Sequence, residues 1–394
     1  MYKKPNINSS NIRGFKIKLY PTEEQKIILQ RHMHLFRFVY NWALNESNVF
    51  FNENKEYIGK TELMRRFADL RNKTEWLHDI PLHSARLAIA HLDFGYKKFF
   101  KHEAMHPKFK SKKTTVQKIH YRNESYAFYI DNNSIRISGF KRGERILCKN
   151  HNIPPPSLSG YYNCTVTFDG IDYWLSVNTE IDLSNKLIQK ANYQDPIGID
   201  VGIKKFAQLS DGTVYQMPKI LKTIDKRIRK QQSRISSMKN RRVALSNQEK
   251  TNLDEIPLTK NEVKLQKENI KLRNRRKNII RSFLHQSTSE IANKYPSKIV
   301  MENLSITSFI GRESKKNNKS DVHYSNWYKF REILKYKSEE RGIEFELADK
   351  CFPSSQICSN CGAIRKQSGR VYICHECGFR IDRDLNAAIN LSRI

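Results

Sequence analysis

Two closely spaced cysteine pairs near the carboxyl end constrain the folding of this chain more than any other feature. They follow the pattern Cys-x₂-Cys-x₁₂-Cys-x₂-Cys, formed by Cys358, Cys361, Cys374 and Cys377. Each pair places two thiolates on one edge of a tetrahedron, and Zn²⁺ accepts four such sulfurs at about 2.3 Å. Because all four ligand positions are filled, the pattern predicts a structural zinc site rather than a catalytic one.

The charge balance favours a polyanionic partner. The 394 residues include 71 Lys and Arg against 40 Asp and Glu, a formal net charge of +31. Such a protein repels itself unless a polyanion is bound, and nucleic acid is the expected polyanion, with a membrane surface as the weaker alternative. The sequence contains no run of about 18 apolar residues for a membrane span, and its first residues lack the apolar core of a signal peptide. We therefore expect a cytoplasmic protein with no membrane partner.

Three acidic residues stand where the end of a strand or helix would present them to solvent. Asp200 lies in the strand-like segment 197–202, Glu302 follows the apolar segment 299–301, and Asp384 begins the last helix. Glycines on both sides of Asp200 would leave room there for a metal ion and a phosphate. Three carboxylates brought together could hold two Mg²⁺ ions across a phosphodiester. The pattern predicts a magnesium-dependent nuclease.

Other acids near these three have structural explanations. Asp382 can cap the last helix and so leave Asp384 free to face the metals, although the reverse assignment stays open. Asp211 starts a hairpin turn before a glycine, and Asp195 precedes a proline in a linker. We expect Asp211 and Asp195 to play no part in catalysis.

A histidine pair at the other end of the chain has two explanations. His32 and His34 resemble the histidine pair of relaxase-type nucleases, in which the pair lies on a strand. Here both residues fall in the middle of a predicted helix. We therefore interpret them as ordinary helix residues without a catalytic role.

Hydrophobic periodicity divides the chain into a helical and β-rich first part and an α/β second part. In the first part a capping box at Thr22 and Gln25 starts a helix that runs to about Asn48. The predicted strands are 14–20, 126–130, 134–138, 161–168 and 172–179, and further helices span 60–73 and 84–103. In the second part strands are predicted at 197–203, 205–210, 213–217, 298–301 and 343–348, and helices at 219–246, 260–295, 327–342 and 383–392. The segment 311–323 is polar and is expected to be a mobile loop.

Two basic regions are candidates for binding nucleic acid. A stretch with interleaved aromatic residues enters the β-rich part, and its lysines are Lys108, Lys110, Lys112 and Lys113. We expect these to contact the nucleic-acid backbone, with a solvated charge run as the alternative. The segment 222–281 holds 19 Lys and Arg against six Asp and Glu.

Several segments together resemble one family, the TnpB (OrfB) proteins of bacterial insertion sequences, which are RNA-guided nucleases related to the type V CRISPR effectors. The most specific are the cysteine pairs followed by Asp-Arg-Asp-x-Asn-Ala-Ala-x-Asn at 382–390, the Met-Glu-Asn-Leu block at 301–304, and the strand that carries Asp200. Segments 18–25, 39–41 and 107–110 also resemble the first part of that family's sequences. The resemblance extends over nearly the whole chain.

The resemblance implies a function and a site. Members bind a guide RNA transcribed from the end of their own element, and this RNA pairs with double-stranded target DNA next to a short flanking motif. It implies that Asp200, Glu302 and Asp384 are catalytic residues that hold Mg²⁺, and that the four cysteines bind zinc. Because all seven residues are present, a nuclease-inactive RNA-guided repressor is disfavoured. A strand-transferring transposase that uses the same acids is a further alternative.

The resemblance also implies a multidomain fold, α/β plus all-β, in a protein associated with a bacterial or archaeal nucleoid. It combines a RuvC-like (ribonuclease H-type) nuclease domain carrying a zinc-ribbon insert with an N-terminal β-barrel that has an inserted helical recognition lobe. The expected boundaries are 1–20 for the first barrel strand, 21–105 for the recognition lobe, 106–190 for the remaining barrel, 191–350 for the nuclease domain, 351–381 for the zinc ribbon and 382–394 for the final helix.

Overall fold

The computed structural model describes residues 12–111, 117–121, 128–130, 133–141, 143–148, 164–180, 193–253, 256–303, 320–367 and 369–394. The chain divides into two units, Met1–Asp182 and Leu183–Ile394. Each unit has its own sheet and its own hydrophobic core. Within the described ranges, no helix is both long and apolar enough to cross a lipid bilayer.

A seven-stranded sheet organises the first unit. Its strands are β1 Ile12–Tyr20, β2 Gln117–Tyr121, β3 Phe128–Ile130, β4 Ser134–Ile137, β5 Ile146–Cys148, β6 Cys164–Phe168 and β7 Tyr173–Glu180. Their order in the sheet is β2-β6-β7-β1-β5-β4-β3. β1 lies at the centre, antiparallel to β7 along most of its length and to β5 near its end. The period-2 pattern of β1 explains this position, because Ile17 and Leu19 are both buried on one face.

The predicted N-terminal β-barrel is found, in the strands that the structure describes, as a half-barrel sheet. β2 and β3 are the two ends of the sheet, and each has a single neighbour. A closed barrel requires the first and last strands to pair, so these strands form an open, half-barrel sheet. β2 and β5 were not predicted, because segments of five and three residues give too little periodicity to detect.

Helices occupy the chain between β1 and β2. They are α1 Glu23–Asn54, α2 Lys60–Asn72, a 3-10 helix at Glu75–Asp79, and α3 Leu82–Phe100. The predicted capping box of α1 is confirmed: the Gln25 amide donates to the Thr22 hydroxyl, and the Thr22 amide donates to the Gln25 side chain. Helix α1 continues to Asn54 rather than ending near Asn48, and stops where Lys55 takes a left-handed φ of 59°.

The buried face of α1 explains its histidine. His32 is 2% exposed, and its Nδ1 shares a hydrogen bond of 3.0 Å with the hydroxyl of Tyr121 on β2. Burial lowers the pKa of His32 to about 4, so the ring is neutral at pH 7. His32 is a core residue joining α1 to the sheet, as its place in a helix indicated.

The second unit contains a five-stranded sheet. Its strands are β8 Ile197–Val201, β9 Ala207–Leu209, β10 Val214–Tyr215, β11 Lys298–Met301 and β12 Glu344–Leu347. Their order is β10-β9-β8-β11-β12, with β8, β11 and β12 parallel and β9 and β10 antiparallel. The predicted hairpin turn is confirmed: Gly212 has a φ of +88°, and Asp211 accepts a hydrogen bond from the Thr213 amide.

Among the described residues of the second unit, four helices accompany this sheet. They are α4 Ile220–Glu249, α5 Lys260–Ala292, α6 Ser320–Glu339 and α7 Arg383–Leu391. The two long basic helices confirm the prediction from the sequence. Helix α6, however, begins at Ser320 rather than Trp327, so the last part of the segment expected to be a loop is helical. The remainder, 311–319, lies outside the described residues.

The two faces of the sheet are covered by different helices. Ile197, Ile199 and Val201 of β8 belong to the main core with residues of α5 and α6. Val300 of β11 points the other way and packs with Leu391 of α7. Alternation along each strand therefore sends one set of side chains toward the long helices and the other toward α7.

Gly198 permits α7 to lie directly on β8. A Cβ at Gly198 would overlap the Ala388 carbonyl oxygen and the Ser392 amide nitrogen, and would stand 2.9 Å from the Leu391 Cβ. The expectation that this glycine makes room for metal and phosphate is therefore wrong. Gly198 makes room for the backbone of a helix, and a Cβ at Gly202 would in turn approach the Lys205 carbonyl oxygen at 3.0 Å.

We predict that Gly198→Ala destabilises the second unit strongly. The obstacle is helix backbone, which cannot rotate away, so the cost should reach or exceed the upper end of the ~1–3 kcal/mol typical of overpacking. Denaturant unfolding measures this loss. The matched control is Gly95→Ala in α3, where the added Cβ meets only Pro107 at 3.5 Å and alanine favours the helix by ~1 kcal/mol. Equal stability of the Gly198→Ala variant and the wild type would contradict the close approach.

Candidate functional site

Asp200 and Glu302 lie side by side at the carboxyl ends of two parallel strands. β8 and β11 pair with Ile199 opposite Met301, so the next residue on each strand is Asp200 and Glu302. The Glu302 amide donates to the Ile199 carbonyl oxygen at 3.4 Å. The side chain of Glu302 lies close enough to Asp200 for its charge to raise the pKa of Asp200. Two acids separated by about a hundred residues of sequence thus meet at one sheet edge.

Asp384 reaches the same place from helix α7. The side chain of Asp382 accepts hydrogen bonds from the amides of Asp384 and Leu385, at 3.0 and 3.2 Å. Asp382 is therefore the N-cap, as predicted, and the carboxylate of Asp384 is free to point away from the helix start. It lies close enough to Asp200 for its charge to act on that residue's pKa. Asp200, Glu302 and Asp384 thus lie in one neighbourhood, although their carboxylate oxygens do not all lie within 4.8 Å of one another, and we call them the acidic cluster.

Burial and like charge dominate the electrostatics of the acidic cluster. Removal from water, followed by the charges of Glu302 and Asp384, raises the pKa of Asp200 well above its usual range. Burial also raises the pKa of Glu302, while the Arg383 charge partly opposes the effect on Asp200. Carboxylates that repel one another in a poorly hydrated site favour a bound cation. Their oxygen atoms are the ligand type that Mg²⁺ prefers, so the donor set fits that ion.

A lysine that the sequence analysis did not select lies beside the acidic cluster. The Lys205 ammonium is 2.8 Å from Asp382 Oδ1 and 3.8 Å from Asp384 Oδ2, and it donates to the side chain of Gln208 at 3.1 Å. Gln208 is buried and lies opposite Asp200 in the β8–β9 register. The only signal in the sequence is a Lys-Lys pair shortly after the strand that carries Asp200. In a chain with 71 basic residues that signal has little specificity.

The four predicted cysteine ligands form a compact tetrahedral set. Of the described His, Cys, Asp and Glu residues, they form the one group of three or more whose ligand atoms all lie within 4.8 Å of one another. The Sγ atoms of Cys358 and Cys377 are 3.8 Å apart, and those of Cys361 and Cys374 are 3.5 Å apart. Four sulfurs at about 2.3 Å from Zn²⁺ have edges of about 3.8 Å. The geometry therefore fits a zinc ion, held beside the hairpin of β13 Val371–Ile373 and β14 Arg380–Asp382.

The lysines expected at a nucleic-acid interface differ in their surroundings. Lys108 is exposed. The Lys110 ammonium instead lies 3.3 Å from the centre of the Tyr40 ring, and the Asn41 side chain bonds both its main-chain groups, at 2.8 and 3.0 Å. Burial and the nearby Lys118 lower the pKa of Lys110 to about 8. Lys110 is thus anchored on α1 rather than extended into solvent. Lys112 and Lys113 lie outside the described residues.

Two acids of the basic hairpin of α4 and α5 are held in pairs within it. Arg242 pairs with the buried Glu262 at 3.1 Å, and Arg276 pairs with Asp225 at 2.5 Å. The exposed positions are instead rich in lysine and arginine, among them Lys226, Lys230, Lys264, Lys271, Arg227, Arg234 and Arg275. The surface of this hairpin therefore carries uncompensated positive charge, which suits a polyanion.

Three family models match the chain. The HTH_OrfB_IS605 model, described as "Helix-turn-helix domain", matches residues 11–56. The OrfB_IS605 model, described as "Probable transposase", matches 176–311, and the model described as "Cas12f1-like, TNB domain" matches 327–391. The residues matched by the first form strand β1 and one continuous helix, so its description does not correspond to their structure. The other two together cover the acidic cluster and the four cysteines.

Individual relatives match most of the chain. "Putative RNA-guided DNA endonuclease InsQ" of Escherichia coli (strain K12) is 26% identical over 96% of this chain and 91% of its own length. "Putative RNA-guided DNA endonuclease" of Streptomyces pristinaespiralis is also 26% identical, over 96% and 88%. A solved structure of Cas12f1 with sgRNA and target DNA matches with a TM-score of 0.52 at 14% identity, over 94% of this chain and 83% of that one. This last likeness is one of fold.

We predict that Asp200→Asn stabilises the protein when no Mg²⁺ is added. The change removes one charge from a site where carboxylates repel, so the melting temperature should rise by about 2–4 °C for each kcal/mol gained. Added Mg²⁺ should then raise the melting temperature of the wild type but not of the variant, since a ligand stabilises only a state that binds it. Thermal melts of zinc-loaded protein measure both effects.

The control for this experiment is Asp211→Asn, which removes a carboxylate paired with Lys294 outside the acidic cluster. It should gain no stability and should keep the response to Mg²⁺. If Mg²⁺ stabilised Asp200→Asn and the wild type equally, Asp200 would not bind the ion.

Proposed function

We propose that the chain is the RNA-guided DNA endonuclease of an insertion sequence, of the TnpB (OrfB) family, and that it cuts DNA by metal-dependent phosphodiester hydrolysis. The observation that carries this proposal is the position of Asp200, Glu302 and Asp384 at one edge of the sheet, where burial raises the pKa of both Asp200 and Glu302 and the neighbouring carboxylates raise that of Asp200 further. A structural role would leave the two buried acids, Asp200 and Glu302, paired with arginine or lysine. An acidic cluster that favours a cation is what metal-dependent nucleases require.

We assign the second unit to a RuvC-like, ribonuclease H-type nuclease domain. Its parallel strands β8, β11 and β12, edged by the antiparallel β9 and β10, support this assignment. In it, residues 191–350 form the main body, 351–381 a structural zinc ribbon and 382–394 the final helix. For the first unit we propose a half-barrel domain whose helices, over 21–105, form a recognition lobe, with 1–20 and 106–190 as its β part.

Asp200, Glu302 and Asp384 would hold Mg²⁺ ions, which would activate a water for attack and neutralise charge on the phosphodiester. The role of the three acids is to hold their carboxylates at fixed positions. Asp200 and Glu302 are fixed by the β8–β11 register, and Asp384 by the cap that Asp382 provides. The Lys205 ammonium, tied to Asp382 at 2.8 Å, adds a positive charge beside the place where a phosphate would lie. It is well placed to orient a strand of nucleic acid.

The proposed partners are a guide RNA from the end of the element and double-stranded target DNA with a short flanking motif. The basic α4–α5 hairpin supports this, because segment 222–281 holds 19 Lys and Arg against six Asp and Glu, and many of these lysines and arginines are exposed. Lys108 is proposed as a backbone contact on the first unit, and Lys112 and Lys113 keep the same role as a proposal. Lys110 would contribute through the position of the segment rather than as a mobile contact. Base pairing would supply the sequence specificity.

We predict that Asp200→Ala, Glu302→Ala and Asp384→Ala each abolish Mg²⁺-dependent, guided DNA cleavage. Each change removes a ligand, and both ions must be held in line with the phosphate for hydrolysis. RNA binding should survive, because it depends on exposed basic residues elsewhere. A plasmid-cleavage assay with the purified ribonucleoprotein, together with a filter-binding assay for RNA, separates the two effects.

The controls for cleavage are Asp211→Ala and Asp382→Asn, both expected to retain cutting. Asparagine replaces aspartate well as an N-cap, so Asp382→Asn removes the charge while keeping the start of α7. Guided cleavage that persisted in Asp200→Ala would remove the nuclease assignment. Joined rather than free DNA ends would indicate strand transfer instead of hydrolysis.

We predict that the protein co-purifies with one discrete RNA when it is expressed with the flanking DNA of its element. RNA binding should weaken steeply with salt, losing about three orders of magnitude or more between 50 and 200 mM if six or more phosphates are contacted. Sequencing of the bound RNA and a salt titration measure these properties. A preparation carrying random cellular RNA would contradict guide binding and would leave only non-specific affinity.

A further inference from the structure

We infer that Asn386 and Asn390 are positioning residues, which fasten the helix carrying Asp384 to the first cysteine knuckle of the zinc ribbon. We define the first knuckle as residues 354–361. In this arrangement the zinc site determines where Asp384 stands in the acidic cluster. The inference rests on the proposed function for the role of Asp384, but its geometry is independent of that role.

Asn386 is fully buried and bonds the knuckle main chain through both ends of its amide. Its Oδ1 accepts a hydrogen bond from the Ser359 amide at 2.9 Å, and its Nδ2 donates to the Ile357 carbonyl oxygen at 2.6 Å. These two residues flank Cys358, one of the four zinc ligands. The amide of Asn386 thus holds the backbone on both sides of a metal ligand.

Asn390 repeats this contact one turn further along α7. Its Nδ2 donates to the carbonyl oxygens of Ser354 and Ile357, at 2.8 and 2.7 Å. Arg393, just beyond the helix, donates to the Ser359 carbonyl oxygen at 2.5 Å. Residues at i, i+4 and i+7 share one helix face, so this whole face of α7 is bonded to the first knuckle.

The opposite side of α7 lies on β8, where Gly198 admits its backbone. The helix is therefore held between the strand that bears Asp200 and the first knuckle. Asp384 is two residues before Asn386, in the first turn of the same helix. The start of α7 is also connected to the ribbon, because Asp382 is the last residue of β14 and β14 pairs with β13, the strand just before Cys374. The turn of α7 that carries Asp384 is therefore connected in two ways to segments that contain zinc ligands.

Packing alone does not explain these asparagines. A buried amide costs free energy unless its hydrogen bonds are made, and an apolar side chain would fill the same space more cheaply. Leu391 and Ala387 serve that purpose on the same helix. Instead, the side-chain amides of Asn386 and Asn390 form hydrogen bonds with main-chain groups of the first knuckle. These main-chain groups have the required positions only when the knuckle is folded. Since the four thiolates need a metal to lie together, zinc binding would be coupled to the position of Asp384.

The test measures metal binding at the acidic cluster without relying on cleavage. Mn²⁺ binding to the purified, zinc-loaded full chain is titrated by electron paramagnetic resonance, with Asp384→Ala defining the signal that depends on this acid. Asn386→Ala and Asn390→Ala should each weaken that Mn²⁺ binding by about tenfold, the lower end of losses seen when partners of metal ligands are removed. Zinc content should stay at one per chain, and hydrogen exchange of the α7 amides should become faster.

Asn293→Ala is the matched control. It also removes one amide side chain that hydrogen-bonds across the second unit, to Arg341 at 2.9 Å, but it lies away from α7. It should leave Mn²⁺ affinity unchanged at a temperature where all variants are folded, as checked by circular dichroism. Wild-type Mn²⁺ affinity in both asparagine variants, with faster exchange or without it, would overturn the inference. A wild type that bound Mn²⁺ normally but failed to cut guided DNA would count against the proposed function alone.

Discussion

The direct contact of helix α7 with strand β8 is the constraint on which the site depends. Asp200 can be placed by its strand, and Glu302 follows from the parallel pairing of β8 with β11. Asp384 belongs to neither strand and comes from the far end of the chain. It reaches the other two acids only because the helix backbone rests on Gly198, where any side chain would overlap the Ala388 carbonyl oxygen. The absence of a side chain at Gly198 therefore allows Asp384 to lie near Asp200 and Glu302.

Like charges are concentrated in two regions of the second unit, the acidic cluster and the α4–α5 hairpin. The acidic cluster gathers carboxyl groups where burial raises the pKa of Asp200 and Glu302. The α4–α5 hairpin exposes positive charge, and two of its acids, Asp225 and Glu262, lie in pairs within it. Each arrangement is unfavourable by itself and becomes favourable with its partner, a cation in the first case and a polyanion in the second. Nucleic acid with its counterions supplies both. In the proposed function, the charges that destabilise the free protein are the ones that would bind metal and nucleic acid.

The sequence predicted those parts of the site that are set by local spacing. The four cysteines meet as expected, because each Cys-x₂-Cys turn brings its sulfurs together with little help from the rest of the fold. The cap at Asp382 and the hairpin at Gly212 are also local and are confirmed. The residues assigned to catalysis remain a proposal, although the structure brings them together.

Features that depend on distant parts of the chain escaped prediction. The role of Gly198 is visible only when the backbone of a helix nearly two hundred residues later is placed over it. Lys205 acquires meaning from Asp382 and Asp384, which no local pattern connects to it. The strand order of the half-barrel sheet was not predicted, because alternation along strands does not show which edges pair. Local chemistry was therefore readable from the sequence, whereas tertiary contacts were not.

The stability of the acidic cluster has to come from outside it, and the position of α7 indicates the source. Three acids from three distant segments lose conformational entropy when they are brought together, and their mutual repulsion adds to that cost. The main core under β8 and β11 fixes the two strand acids. It does not reach α7, whose own apolar cluster is small. Besides its contact with β8, the helix is bonded to the cysteine knuckle by the buried amides of Asn386 and Asn390. A ribbon stabilised by zinc would therefore supply for Asp384 the rigidity that the sheet supplies for Asp200 and Glu302.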